Sequence, residues 1–211
     1  IGRHARQPAQ SRDYIPFPGG FLLHTGWPNP GIRRAITRHR HAWAEAPIPV
    51  IVHLLGEVPQ TIAEMVRQLE GLDNLLAMEI GLPPDCNTEL LTAFLDASEG
   101  ELPRIISLDL SQVPDLLSTL IERQPAAVQL QPPRGTLPHA SGELISGRLY
   151  GPAIFPQTLE SVQRLRETCL RIIAGGGVFS QVDVQAILKA GAFAVGLGAA
   201  LWGTDISPLF R

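Results

Sequence analysis

The strongest constraint on this sequence is a repeated alternation between short apolar segments and amphipathic ones, which begins near residue 48 and continues to residue 198. Six apolar segments predict strands, at 49–56, 75–80, 104–110, 126–131, 170–175 and 193–198. The amphipathic segments predict helices at 60–72, 87–98, 113–124, 156–167 and 178–191. Strict alternation favours parallel strands that are joined by crossover helices and buried on both faces.

Six parallel strands are compatible with two architectures. A doubly wound open sheet can use six strands, whereas a (β/α)8 barrel needs eight. Residues 19–26, GGFLLHTG, supply at most one further strand, and residues 132–153 read as a long loop that contains Gly and Pro. The first twenty residues show no clear period, which suggests an N-terminus that is incompletely represented. No interior linker or repeat is visible, so a single domain over residues 1–211 is predicted.

Charge and cysteine usage exclude several classes of protein. The formal net charge of −3 provides no broad basic field, so nucleic acid is not an expected partner. No apolar run approaches the roughly 20 residues of a membrane-spanning helix. Cys86 and Cys169 have no metal-like spacing and form either one disulfide or two thiols. Two thiols in a reducing compartment are the preferred interpretation, and a cytoplasmic location is expected.

The last forty residues carry the sharpest chemical signal. In AGGGVFSQVD, three glycines stand at the end of a predicted strand and directly before a helix, and VGLGAALW repeats the arrangement at the next strand. Glycines let the backbone approach a ligand closely, and N–H groups at a helix start favour an anion. The loops after the last two strands of (β/α)8 barrels commonly bind phosphate in this way. The two loops therefore favour the barrel and predict a phosphate site.

Several segments together resemble the dihydroorotate dehydrogenase family of FMN-binding (β/α)8 barrels. SGRLYGPAIFP (146–156) is similar to the family's GG-x-SGPAI-x-P segment, and IIAGGGVFSQVDVQAILKAGAFAVGLGAALW (172–202) to its glycine-rich C-terminal run. PGGFLLHTGWPNPGI (18–32) resembles a PGG…N-x-x-GL-x-NPG segment, and VIVHLLG a VIVN-x-x-G strand. The resemblance implies a diverged barrel in which about six of eight strands are represented, the first ones being expected before residue 1.

The resemblance also implies a cofactor site. In the family, the loops that match this chain's glycine segments hold the FMN phosphate, so the implied cofactor-binding residues are Gly151, Gly176, Gly177, Gly198 and Ala199. Ala199 stands where family members often have threonine, so one hydroxyl contact is absent. His53 ends a strand where the family tends to have asparagine, and it is included as a predicted flavin contact.

The positions at which the family binds its substrate and carries out its chemistry, here called the reaction end, depart from the family pattern. Leu23, Gly81 and Pro132 stand where the family has asparagines, and Asp85 stands at its last asparagine. Ser107 stands at the family's strand-five lysine, and Pro83 or Pro84 near its Cys or Ser base. Cys86 lies close to the position of the base, but it takes that role only if the alignment is shifted by several residues. Lys189 is the only lysine of the chain and lies well inside a predicted helix, so it cannot replace the lysines that the family uses. Proline offers no titratable group for proton abstraction. Catalytic residues are therefore left unassigned.

Five other residues are candidates for a functional site. His39 and His41 lie on different faces of a basic helix, so no metal site is expected from them. Glu79 sits inside an apolar strand and must be paired or neutral if it is buried. Trp27 is expected to fill the pocket that a substrate would occupy, and Arg148 lies in the predicted long loop, where it is either solvated or meets an anion.

The functional prediction is an FMN-dependent oxidoreductase of the dihydroorotate dehydrogenase type, with impaired or altered substrate chemistry. The alternative is a catalytically degenerate paralogue that serves as a structural or accessory subunit. A third hypothesis is a sugar-phosphate enzyme without flavin that uses the same loops. The expected partners are FMN or another phosphate-bearing ligand and further subunits of a homo- or hetero-oligomer.

Overall fold

A computed structural model describes residues 1–8 and 13–202 of the chain. Its contacts divide this part into two compact units. The first unit comprises Ile1–Pro8, Gly26–Ser107 and Pro114–Ala127. The second comprises residues 13–25, Leu108–Val113 and residues 128–202. The boundaries do not coincide with a linker, and the prediction of a single domain stays a prediction.

The first unit follows the predicted alternation closely. Its elements in chain order are α1 (Ile32–Ala44), β3 (Val50–Leu55), α2 (Pro59–Leu69), β4 (Leu75–Gly81), α3 (Thr88–Ala97), β5 (Arg104–Asp109, of which the last two residues belong to the second unit) and α4 (Val113–Arg123). Strand β4 pairs in parallel with both β3 and β5. The predicted boundaries are therefore correct to within three residues for these strands and for α2, α3 and α4.

The core of the first unit explains why these helices form. Helix α2 begins at a proline, the residue best suited to the first helical turn, and buries Ile62, Met65 and Leu69 completely along one face. The facing side chains of β3 and β4, such as Leu54 and Met78, are likewise fully buried. Burial of each such side chain contributes about 1.5–3 kcal/mol, so the apolar periodicity of the sequence carries most of the local stability.

The second unit contains the remaining parallel strands. Its α/β elements are β6 (Ala127–Gln131), α5 (Phe155–Leu165), β9 (Ile172–Gly175), α6 (Gln181–Ala190) and β10 (Ala194–Gly196). Strand β9 pairs in parallel with β6 on one side and with β10 on the other. Leu165, Ile172 and Ile187 are almost fully buried. Across the described residues the parallel strands number six, which confirms the predicted α/β fold of the (β/α)8 barrel type with about six strands represented.

One prediction about the second unit was wrong. The long loop predicted at 132–153 contains an antiparallel hairpin, β7 (Arg134–Pro138) and β8 (Leu144–Tyr150). The segment at residues 19–26, from which at most one further barrel strand was expected, supplies none, because β2 (Gly20–His24) pairs antiparallel with β8 and with β1 (Asp13–Phe17). These four strands form a separate antiparallel sheet in the order β1-β2-β8-β7. Its residues are mostly half-buried or exposed, so their apolar pattern is too weak to predict strands.

Candidate functional site

A cavity of about 220 Å³ in the second unit brings together the glycine-bearing loops that the sequence singled out. The loops follow β8, β9 and β10. All five predicted phosphate-binding residues line the cavity: Gly151, Gly176, Gly177, Gly198 and Ala199. The parallel strands β9 and β10 end side by side, with Gly175 opposite Gly196, which places their following loops together. His53, the sixth predicted cofactor residue, is not among the residues that line this cavity.

Two of these glycines are required by the backbone itself. Gly177 has a φ of +75°, and a Cβ there would lie 2.2 Å from the backbone nitrogen of Phe155. Gly151 has a φ of +124°, and its Cβ would lie 2.4 Å from the carbonyl oxygen of Gly19. Left-handed φ values and such close approaches exclude side chains. Gly198 differs, because a Cβ at this position meets nothing within 4 Å and would point into open space.

Helix α6 fixes the end of the triple-glycine loop. The Ser180 hydroxyl accepts a hydrogen bond from the backbone nitrogen of Asp183, and the Asp183 carboxylate accepts one from the backbone nitrogen of Ser180 at 2.9 Å. The same carboxylate also accepts a hydrogen bond from the backbone nitrogen of Phe179 at 3.0 Å. This capping box satisfies the backbone N–H groups of Ser180 and Asp183, and it holds Val178 and Phe179, which line the cavity.

The sequence reasoning missed several residues of the cavity wall. Gln129 and Gln131 line it from β6, and Tyr150 lines it from the end of β8. The two glutamines lie two residues apart on a strand and so share one face. The available signal was a polar residue at every second position of a segment that was predicted as an apolar strand. Burial raises the pKa of the Tyr150 hydroxyl, which is therefore neutral and able to donate a hydrogen bond.

The lining of this cavity is uncharged. Its 14 residues include no Asp, Glu, Lys, Arg or His. An anion held there would be bound by neutral donors, namely backbone N–H groups, amides and the phenol, in the manner of loops that precede helices. What the arrangement offers chemically is a group of neutral hydrogen-bond donors. Its volume lies below the 300–1,000 Å³ of whole-ligand pockets, so it would enclose only part of a larger ligand.

Arg148, which the sequence left as solvated or ligand-binding, is instead engaged by protein groups. Its Nη1 donates to Oδ1 of Asp109 and to the carbonyl oxygen of Pro132, each at 2.6 Å. The side chains of Arg148 and Asp109 are only 15% and 8% exposed. Because Pro132 lines the cavity, this ion pair fixes part of its wall. Asp109 also accepts a cap hydrogen bond from the backbone of Gln112.

The first unit contains a His–Glu pair at neighbouring strand positions. His53 on β3 stands opposite Glu79 on β4, and Nδ1 of the imidazole lies 3.2 Å from Oε1 of the carboxylate. Glu79 is therefore paired, as its place in an apolar strand required. Gly81 leaves room for the ring, because a Cβ there would lie 2.8 Å from Nε2 of His53. His53 is more exposed than Glu79, with 38% of its side chain accessible against 17%.

A second cavity, of about 470 Å³, lies within the first unit. Trp27 and the prolines after β4 line it, together with the N-terminal segment around Arg3 and Arg6. Trp27 therefore forms part of the wall of an open cavity here. Asn29 organises the wall, since its Oδ1 accepts hydrogen bonds from the backbone nitrogens of Gly2 and Gly31, each at 3.0 Å.

The positions that lack the family's polar residues are distributed over both units. Leu23 lies on β2 and Pro132 follows β6 in the second unit. Gly81 ends β4, Pro83 and Pro84 follow it, and Ser107 lies on β5 with 3% exposure in the first unit. None of the residues that the structure describes forms a cluster of three or more His, Cys, Asp or Glu side chains able to hold a metal ion.

Cys86 is a poor candidate for the missing base. Burial, with a smaller contribution from Asp85, raises the pKa of its thiol to about 11, whereas Cys169 is exposed. A raised pKa keeps the thiol protonated at neutral pH, and only the thiolate is nucleophilic. Both cysteines are free, which agrees with the preferred reading of two thiols.

We expect Cys86 to react with iodoacetamide at pH 8 about 100-fold more slowly than an ordinary thiol, because a pKa of about 11 in place of 9.0 lowers the thiolate fraction by that factor. Cys169 is expected to alkylate readily. Mass spectrometry of peptides from the native protein measures both rates in one sample, and the unfolded protein supplies the reference. Equal rates for the two cysteines in the native protein would contradict the assignment.

Comparison with known proteins identifies relatives of one kind. The chain is 26% identical over 209 residues to the catalytic subunit of dihydroorotate dehydrogenase B (NAD(+)) from Trichlorobacter lovleyi, which covers 87% of this chain and 67% of the relative. It is 25% identical to the corresponding subunit of Halalkalibacterium halodurans, with 86% and 66% covered, and 27% identical to that of Thermotoga maritima, with 84% and 71% covered. The chain thus spans about two thirds of the length of the relatives that it matches first.

No protein-family model matches the chain. Within the residues that the structure covers, no helix combines the length and apolar character needed to cross a membrane.

Proposed function

The chain is a diverged member of the dihydroorotate dehydrogenase family, and on this premise we propose that it binds FMN and is an oxidoreductase whose substrate chemistry differs from dihydroorotate oxidation. The observation that carries the proposal is the cavity of the second unit, in which all five residues predicted to contact the phosphate meet. They come from three separate loops between residues 151 and 199.

The walls of this cavity fit a phosphate group. Gly176 and Gly177 line the cavity without side chains, and Gly198 leaves open space where a Cβ would be. In the proposed complex, the backbone N–H groups of these loops donate to the phosphate oxygens. Gln129 and Gln131 supply amide donors from β6. Bound FMN would supply two-electron redox chemistry, while the protein contributes binding and orientation.

The proposed difference in substrate rests on the residues at the reaction end. Leu23, Gly81 and Pro132 stand where the resemblance implies asparagines, and Ser107 stands where it implies lysine. These side chains supply neither a positive charge nor an amide, which dihydroorotate oxidation would use to hold its carboxylate and the reduced flavin. His53 remains the predicted flavin contact outside the glycine loops. Its pairing with Glu79 at 3.2 Å fixes the ring orientation that such a contact would need.

The same reaction end favours a second candidate function. A chain without the family's base and strand-five lysine is expected if the protein is an accessory subunit that keeps the barrel scaffold and assembles with other chains. The two candidates differ in one property that can be measured directly. The oxidoreductase requires a flavin in the folded protein, whereas the accessory subunit does not.

The visible absorbance spectrum of the natively purified protein tests the proposal first. We expect a flavin spectrum at one FMN per chain, or uptake of added FMN to that stoichiometry, with the ligand identified by mass spectrometry after release. Substrate screening would then follow the bleaching of the flavin under anaerobic conditions. A protein that is folded by circular dichroism, colourless and unable to take up FMN would contradict the flavin proposal and favour the accessory subunit.

A further inference from the structure

Helix α1 carries an unusual concentration of positive charge. Within its 13 residues it contains four arginines and two histidines and no acidic residue. The arginines are Arg33, Arg34, Arg38 and Arg40, and all four are exposed. Apolar contacts occupy the other side of the helix, where Ile32 and Ala35 are buried and His39 stacks on Trp43 with ring centroids 6.1 Å apart. The charged side chains therefore contribute little to holding the helix on its unit.

Several of these positive charges lie where they destabilise a helix. Arg33 and Arg34 lie in the first turn, where the helix dipole is positive and favours acidic side chains. Arg34 and Arg38 are like charges four residues apart, an arrangement that destabilises a helix. Of the six α-helices in the described chain, α1 alone has cationic side chains in its first turn, while α3, α4 and α6 carry an acidic residue there.

Several other exposed arginines of the described residues pair with a nearby carboxylate. Arg3 pairs with Glu64 at 2.7 Å, Arg6 with Glu57, and Arg164 with Glu160 at 2.6 Å. By contrast, no ion pair involves the four arginines of α1 in the described part of the chain, where the sole ion pair of this helix joins His41 to Glu45 at 3.3 Å. Charges that destabilise a helix and gain no compensating ion pair within the fold are expected to serve a function.

We propose that the exposed face of α1 is a docking surface for a protein partner that presents a cluster of Asp and Glu carboxylates. Arginine suits this role because its guanidinium binds carboxylates in a bidentate manner. The face extends from Arg33 to His41, about 12 Å at 1.5 Å per residue. A carboxylate cluster of that length on another protein matches it in size and charge.

The net charge of the rest of the chain favours an acidic protein patch over nucleic acid or an anionic membrane as the partner. The formal net charge is −3 although α1 contributes four positive charges, so the remainder is strongly acidic. Nucleic acid and anionic membranes present negative charge over distances much longer than the Debye length of about 8 Å. They would therefore also meet the net negative charge of the rest of the chain, which repels them. A compact acidic patch engages the helix alone.

The test uses the full chain and a fluorescein-labelled glutamate 12-mer as the probe, with binding followed by fluorescence anisotropy at physiological ionic strength. Substituting Arg33→Gln, Arg34→Gln and Arg38→Gln together is expected to weaken binding at least ~10-fold. The control substitutes three exposed arginines elsewhere, Arg67→Gln, Arg164→Gln and Arg166→Gln, with the same change in net charge. We expect the control to bind as the unsubstituted chain does.

Thermal unfolding separates docking from a structural role. Removing cations from the first turn is expected to leave the melting temperature of the α1 variant unchanged or raised, whereas arginines needed for folding would lower it. Failure of the unsubstituted chain to bind the peptide, or equal losses in both triple variants, would overturn the proposal. Tighter binding to phosphatidylglycerol vesicles or to a single-stranded DNA 12-mer than to the peptide would overturn the choice of a protein carboxylate partner. None of these measurements depends on FMN.

Discussion

Replacing Gly198 with leucine is expected to weaken FMN binding at least ~100-fold while leaving the fold intact. Gly198 lines the proposed phosphate cavity, and a Cβ at this position meets no atom within 4 Å. Because Gly198 lines a cavity of about 220 Å³, we expect the leucine side chain to take up part of the space that the phosphate needs. A loss of about 2.7 kcal/mol corresponds to two powers of ten in the dissociation constant. Titration with FMN, followed by flavin fluorescence, measures the effect.

Gly198 is the informative position because substitutions at the other glycines of the cavity would disturb folding as well as binding. A side chain at Gly177 would collide with the backbone of Phe155 at 2.2 Å and disturb the loop whatever the cavity holds. The smaller substitution Gly198→Ala is expected to give an intermediate loss of affinity. Gly2→Ala serves as the control in another part of the chain, since its Cβ would make only ordinary contacts at 3.5 Å. Unchanged FMN affinity in Gly198→Leu would place the phosphate elsewhere.

The sequence predicted those parts of the structure that local signals encode. Strands such as β3 and β4 are continuous apolar runs, and α2 shows apolar residues at three- and four-residue steps, so burial alone determines both. The glycines of the triple-glycine loop were also predictable as a group. Gly177 can only be glycine, because its left-handed φ and its approach to Phe155 leave no room for a side chain. Local chemistry thus identified the loops before any contact was known.

Other features depend on contacts between distant residues and have no local signal. The β7–β8 hairpin is largely half-buried or exposed, and Gly135, Pro138 and Gly147 break its pattern, so it read as a loop. Gln129 and Gln131 were read as ordinary strand residues because their importance comes from the cavity on one side of β6. Contacts of this kind, between residues that are distant in the sequence, are specified only when the fold brings the residues together.

The ion pair between Arg148 and Asp109 joins residues that are 39 positions apart in sequence, so it too has no local signal. Substituting Arg148→Met is expected to lower the free energy of unfolding by about 3 kcal/mol, because removing one partner leaves a buried carboxylate without its counter-charge. Equilibrium denaturation by urea measures the change. The matched control Arg164→Met removes an exposed partner of Glu160, with side chains 71% and 62% exposed, and is expected to cost at most about 0.5 kcal/mol.

A double substitution distinguishes lost charge compensation from lost packing. Asp109→Asn removes the carboxylate charge but keeps an oxygen that can accept the cap hydrogen bond from Gln112. In the Arg148→Met background it should therefore restore much of the lost stability, with a coupling that exceeds about 1 kcal/mol. If the two losses simply add, the charge pair is not the cause. Since Arg148 also donates to the carbonyl of Pro132 in the cavity wall, the single variant should weaken FMN binding as well, and the double variant should recover stability without recovering that affinity.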